Sequence, residues 1–183
     1  MSNSNVGARK QRNVRDHLFV VHGVINSVLN GQGESIDIQI YDVEKCFDAL
    51  WLEDCMLDMF NTLPPEARDD KLALLYQMNK ENYVAVNTAV GLTDRVMLPS
   101  LVMQGGKWGP LKCSLTMDKI GKSCVDKGEH LYTYKGQVRV MPLAMVDDLL
   151  GMAPCGAESA DLNITVNSKI EMKKLRFHVP DVN

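Results

Sequence analysis

A chain of 183 residues with 45% apolar composition is long enough for one domain with a real core, which excludes a disordered polypeptide outside its termini. A net charge of −3 argues against a free-standing nucleic-acid binder, because neutralising phosphates calls for a basic surface. Five cysteines, at 46, 55, 113, 124 and 155, include no C-x-x-C pair and read as reduced, mostly buried thiols; no signal peptide or bilayer-length apolar run is present, so a soluble, intracellular chain is expected.

Residues 1–13 are expected to form a basic, flexible arm: Arg9, Lys10 and Arg12, with Arg15 just beyond, have no acid among the first 15 residues. Val14, Leu18, Val21, Ile25 and Val28 recur at spacings of four and three, which predicts an amphipathic helix ending near Asn30-Gly31 and packing by that stripe. Ser35 to Tyr41 alternates with period two, so it reads as a strand that delivers Asp42 at its C-terminal end. A helix over 46–60 carries Trp51, Cys55 and Met59, and after Pro64-Pro65 a second one carries Leu72, Leu75, Tyr76 and Asn79. A strand around 83–86 and an extended stretch over 91–102 lead to the loop Gln104 to Pro110.

The next helix presents Cys113, Met117, Ile120 and Cys124 on one face. Strands are expected at 131–135, 138–146 and 149–152, then a helix with Leu162, Val166 and Ile170, and a last strand over Leu175 to Val179. Helices interleaved with strands, and hairpins near the end, describe an α+β layer of helices on a mixed or antiparallel sheet. In such a sheet the strand end at Asp42 can lie beside the turn at Asp147.

Val138 to Met152 is an apolar run interrupted by Asp147-Asp148. Two adjacent carboxylates cannot be buried without compensation, so they imply a surface turn or a bound cation. The other such pair, Asp69-Asp70, sits in a polar stretch at a helix start, where acids favour the positive end of the helix dipole and no metal is needed. Asp42, Asp147 and Asp148, at two strand ends distant in sequence, suit two-metal phosphoryl transfer, although an aspartate at a strand-to-helix junction is as often a helix cap.

Asp42 to Phe47, Gln104-Gly105 before a helix, and Val146-Asp147-Asp148 in an apolar hairpin resemble, in order and spacing, the palm motifs of reverse transcriptases. The flanks Arg15 to Phe19 and Phe47 to Glu53 are most similar to the enzymes of non-LTR retrotransposons, and the resemblance spans roughly residues 12 to 179. It implies a polymerase palm-like (ferredoxin-like) α+β fold over 14–183 with partial fingers and the thumb absent, hence a fragment of a larger retroelement protein. The implied activity is RNA-directed DNA polymerisation, with an RNA template, a DNA primer and a deoxynucleoside triphosphate as partners and no membrane.

By the same resemblance Asp42 and Asp147, with the Val43 carbonyl, would hold two Mg2+ ions (or Mn2+), and Asp148 would complete the catalytic set. Phe47 would exclude a 2′-hydroxyl, and Gln104 and Gly105 would touch the incoming nucleotide and template base. Glu44 and Asp48 are expected at the surface or behind the site. The sequence departs from the family at Met145, where an aromatic is usual. The alternatives are a catalytically silent retroelement-derived α+β domain or protein-interaction module, and another palm-type enzyme such as a nucleotide cyclase.

Overall fold

The computed structural model describes residues 5–7, 11–81, 83–97, 108–126, 131–173 and 175. Its centre is an antiparallel sheet of β1 (Ile36–Asp42), β9 (Asp148–Pro154) and β8 (Leu143–Met145), in the order β1-β9-β8. The β1–β9 register runs unbroken from Ile36 opposite Pro154 to Asp42 opposite Asp148, and β8 closes with Met145 opposite Asp148. Helices α5 (Gly109–Asp126) and α6 (Ala157–Met172) cover one face, giving the expected α+β architecture.

Side-chain alternation decides which residues meet those helices. Tyr41, Ala144, Leu149 and Ala153 join the Cys113, Met117, Ile120 and Cys124 face of α5 and the Leu162, Val166 and Ile170 face of α6 in the main core. Gln39 also points that way, and its amide nitrogen donates to the Ser159 carbonyl at 2.8 Å, so a polar side chain is carried under α6 without an orphaned donor. A β-carbon at Gly151 would stand 2.9 Å from Leu162 Cδ2, so this glycine lets α6 sit close on the sheet. The opposite face is open at the aspartate end, where Ile40 is 75% exposed.

Helix α1 (Val14–Leu29) starts from a capping box between Asn13 and Asp16, as its sequence allows. Its buried face differs from the expected stripe. Val24 and Ser27 are buried, with Val20, Val21 and Val28 packed beside Tyr132, Leu143 and Met152, while Val14 and Leu18 are exposed. The reason is coverage: the second half of α1 lies on the open sheet face, and its first turns line a groove instead.

The single helix expected over 46–60 is two helices, α2 (Cys46–Ala49) and α3 (Leu52–Thr62). Leu50 and Trp51 between them are extended, which drops Leu50 into the main core and re-aims α3 so that Leu52, Met56 and Met59 pack against Leu115 of α5. Asp58 of α3, wholly buried, binds Lys119 of α5 and Lys173 at the end of α6, tying three helices through one carboxylate. A 3-10 turn (Pro65–Ala67) and α4 (Asp70–Asn79) follow, so Asp70 does open a helix.

Up to Met97 the extended region is a nested hairpin, and 98–102 lie outside the described residues. β2 (Tyr83–Val84) pairs with β5 (Val96–Met97) around β3 (Asn87–Thr88) and β4 (Gly91–Leu92). A second hairpin joins β6 (Thr133–Tyr134) to β7 (Val138–Arg139); β7 and β8 are not the one strand expected over 138–146, because after the Val140 N–H donates to the Tyr132 carbonyl at 2.8 Å the chain leaves the ladder at Met141–Pro142, where proline has no N–H to donate. Leu175 is buried in the main core, and the rest of the strand expected there lies outside the described residues. All five cysteines are free, four of them buried and Cys155 exposed. Among the described residues no helix is long and apolar enough to cross a membrane.

Candidate active site

The β1–β9 register brings Asp42, the last residue of β1, opposite Asp148, the first of β9. Residues directly opposite in an antiparallel ladder point to the same face, here the open one. Asp147 precedes Asp148 in the two-residue turn Val146-Asp147 that closes β8 onto β9. Val146 takes the first turn position with φ 58°, a left-handed conformation usually given to glycine. Packing of Val146 on the main core holds a branched side chain there and so fixes where Asp147 stands.

After Asp42 the chain turns sharply. Lys45 is left-handed at φ 48°, and its carbonyl accepts from the N–H groups of Asp48 and Ala49, both at 2.9 Å, starting α2. This sends Val43 and Cys46 into the core and leaves Asp42, Glu44 and Asp48 exposed around a cavity of about 430 Å³. Phe47 and Asp147 complete the lining, so four carboxylates and the Lys45 ammonium share one concavity. Phe47 is half-buried between this cavity and the core.

The electrostatics follow from the crowding. Burial raises the Asp148 carboxyl above the ordinary carboxylate value, and the neighbouring Asp147 and Asp42 charges push it the same way. Asp148 itself does not line the cavity. Behind the turn, the Cys113 thiol is raised by its hydrogen bond with Cys46, by burial and by further charges including Asp147, so it stays protonated and takes no part as a thiolate.

A segment of the expected flexible arm supports the same turn. Val6 N–H donates to the Ala144 carbonyl at 3.1 Å, and Asn5 forms a parallel bridge to Ala144 on the outer edge of β8. The buried Asn5 amide donates to the Ser114 carbonyl at 2.6 Å and accepts from Gly7 N–H at 3.0 Å. A β-carbon at Gly7 would stand 2.5 Å from Val146 N, so only glycine lets the strap pass behind the turn.

Of the residues expected from sequence, Asp42, Val43, Phe47 and Asp147 are brought together at the cavity, and Asp148 stands across the ladder from Asp42. Gln104 and Gly105 lie outside the described residues. Glu44 and Asp48 are at the surface and also line the cavity; their positions two and six after Asp42, across a strand-to-helix turn, are the signal that could have placed them there. The strap at Asn5–Gly7 carried no sequence pattern that would reveal it.

Among the described residues no group of three or more His, Cys, Asp and Glu is close enough to hold a metal ion alone. The donors present fit another mode, in which magnesium takes one or two carboxylates and fills its remaining positions with water and substrate phosphates. Asp42 and Asp147 facing one open cavity supply two such oxygen donors.

No protein-family model matches the chain, and neither does any curated protein. Solved structures do match. Telomerase from Candida tropicalis in complex with a TWJ fragment of telomeric RNA aligns at a TM-score of 0.67 and 12% identity, over 98% of this chain and 31% of that one. Telomerase from Candida albicans in complex with a TWJ fragment of telomeric RNA aligns at 0.61 and 15%, over 93% and 31%. The apo Candida tropicalis telomerase truncated from its C-terminal domain aligns at 0.58 and 15%, over 98% and 37%. The chain thus spans about a third of the length of the telomerases it matches, and nothing in these matches singles out non-LTR retrotransposons. At these identities the likeness is one of fold: the chain has a reverse transcriptase-like fold.

Proposed function

We propose that the chain is the palm, with partial fingers, of an RNA-directed DNA polymerase of the non-LTR retrotransposon type. The observation that carries this reading is that Asp42 and Asp147, 105 positions apart in a reverse transcriptase-like fold, line one open cavity together with Phe47. The reaction is attack of a DNA primer 3′-hydroxyl on the α-phosphate of a deoxynucleoside triphosphate, chosen against an RNA template, with pyrophosphate leaving.

Asp42, Asp147 and the Val43 carbonyl would hold two Mg2+ ions, which when bound supply charge neutralisation and a lowered pKa for the attacking hydroxyl. The chain's own part is alignment and electrostatics. Asp42 and Asp147 orient the reacting groups from the wall of one cavity, Asp148 adds negative charge beside it, and Lys45 offers a counter-charge to the triphosphate. The Phe47 ring limits the room under the sugar, so a 2′-hydroxyl is disfavoured by collision.

Primer extension on an RNA template with Mg2+ tests this. Wild type should add deoxynucleotides; Asp147→Asn and Asp42→Ala should lose at least about a hundredfold in rate, as removal of preorganised transition-state stabilisation does. Phe47→Ala should admit ribonucleotides. Extension by Asp147→Asn at the wild-type rate would overturn the proposal.

A second reading, a catalytically silent retroelement-derived α+β domain, draws on the lack of a closed three-ligand cluster among the described residues. It requires no extension by wild type under any metal.

A further inference from the structure

The two sides of the carboxylate cavity rest on consecutive residues of α5. On the Asp42 side, Cys46 is buried four positions on and shares a hydrogen bond with the Cys113 thiol. On the Asp147 side, a segment from the start of the chain reaches the next residue: the Asn5 amide nitrogen donates to the Ser114 carbonyl at 2.6 Å. The same segment grips the sheet, where Val6 N–H donates to the Ala144 carbonyl at 3.1 Å, two residues before Val146. The buried run Asn5 to Gly7 therefore ties the β8–β9 turn to the helix that also carries the Asp42 side.

The turn needs such a hold. Val146 is left-handed at φ 58°, and a β-branched residue leaves that conformation unless its surroundings oppose it. Main-core packing restrains the Val146 side chain. The strap restrains its backbone: a β-carbon at Gly7 would stand 2.5 Å from Val146 N and 3.2 Å from Val146 Cα, so the two segments run in contact. On its other side the contact is close enough that the Ser114 hydroxyl, buried beside Gly7, has no hydrogen-bond partner among the described residues. Asn5 is fully buried, with its amide nitrogen on Ser114 and its Oδ1 accepting from Gly7 N–H at 3.0 Å, and it does not line the cavity. Both of its polar groups are engaged within the fold, and an apolar residue of the same volume would supply neither bond.

We propose that Asn5 is a positioning residue of the site: through Ser114 it fixes the Val146-Asp147 turn on α5 and so sets the separation of the Asp147 and Asp42 carboxylates. Magnesium demands near-ideal octahedral geometry, with ligand distances held to within roughly 0.2 Å. Val146 and Asp147 are adjacent, so relaxation of the Val146 backbone swings the Asp147 carboxylate through a larger arc than that without unfolding the sheet. The inference rests on the polymerase reading for the role of the two aspartates as cation ligands; the hold of the strap on the turn does not depend on it.

Two measurements on the full chain test it. Hydrogen exchange at the amides of residues 144–149 in EDTA reads the turn with no metal present, and Asn5→Ala should speed it by at least about tenfold. Titration with Mn2+ followed by electron paramagnetic resonance reads the site, and Asn5→Ala should bind the ion more than about tenfold more weakly, as loss of a group behind a metal ligand does. Asn5→Asp keeps the shape and the acceptor for Gly7 N–H but, when ionised, has no donor for Ser114; it should move both readouts the same way and stands in if Asn5→Ala fails to fold. Asp58→Ala loosens a helix junction outside the cavity and is the control for a merely destabilising effect: it should leave both readouts at wild type. Wild-type exchange in the Asn5 variants would overturn the proposal, as would faster exchange with wild-type Mn2+ affinity, or equal changes in Asp58→Ala. Faster exchange at the turn together with a Mn2+ affinity that Asp42→Ala/Asp147→Asn leaves unchanged counts against the polymerase reading alone.

Discussion

Burial, and after it the repulsion of the neighbouring Asp147 and Asp42 carboxylates, raise the Asp148 carboxyl above its ordinary value. A folded-state value above the unfolded one means the folded chain holds that proton more tightly. The contribution to stability is then greatest below the unfolded value, about 3.9, and is lost as pH rises toward the folded value. Asp147→Asn removes one of the causes, so at about pH 7 it should melt at or above the wild-type temperature, the difference closing near pH 3. A lower melting temperature at neutral pH would show that Asp147 stabilises the turn rather than straining it. Gly7 is the second informative position. Gly7→Ala puts a methyl group against Val146 N and should cost about 1–3 kcal/mol in urea denaturation, as overpacking does.

At the level of elements, α5 and α6 were legible because their stripes meet a partner along the whole helix: Cys113, Met117, Ile120 and Cys124, and Leu162, Val166 and Ile170, are all buried. The stripe of α1 has the same periodicity, yet Val14 and Leu18 are exposed, because periodicity says that a helix has an apolar side and not how much of it is covered. The break at Leu50-Trp51 was hidden for a related reason: the four-residue spacing of Trp51, Cys55 and Met59 begins at the break itself and says nothing about where the helix starts. The three-helix junction at Asp58 is wholly non-local. Removing the buried partner of an ion pair costs most when the other charge is left buried; Lys119 and Lys173 keep access to water, so Asp58→Ala should lower the urea-unfolding free energy by about 1–3 kcal/mol, read from the transition midpoint.

For the whole molecule, the proposed site predicts a coupling between metal and stability. A cation that binds only the folded chain raises its stability by roughly 2.7 kcal/mol at a hundred times its dissociation constant. Millimolar Mn2+ should therefore raise the melting temperature of wild type and leave Asp42→Ala/Asp147→Asn unmoved, measured by calorimetry. An equal rise in both would place the ion elsewhere on this acidic chain.

The sequence by itself determined strand β1, helices α5 and α6 and the anomaly: an acidic pair breaking an apolar run, and an aspartate ending an alternating strand, both consequences of local periodicity. Only the tertiary structure decided which carboxylates meet. The antiparallel β1–β9 register sets Asp42 against Asp148, the turn at Lys45 adds Glu44 and Asp48 to the cavity of Asp42 and Asp147, and the strap at Asn5–Gly7 backs the turn. Register and docking are through-space properties: they depend on which faces other segments bury, and no local spacing along the chain encodes them.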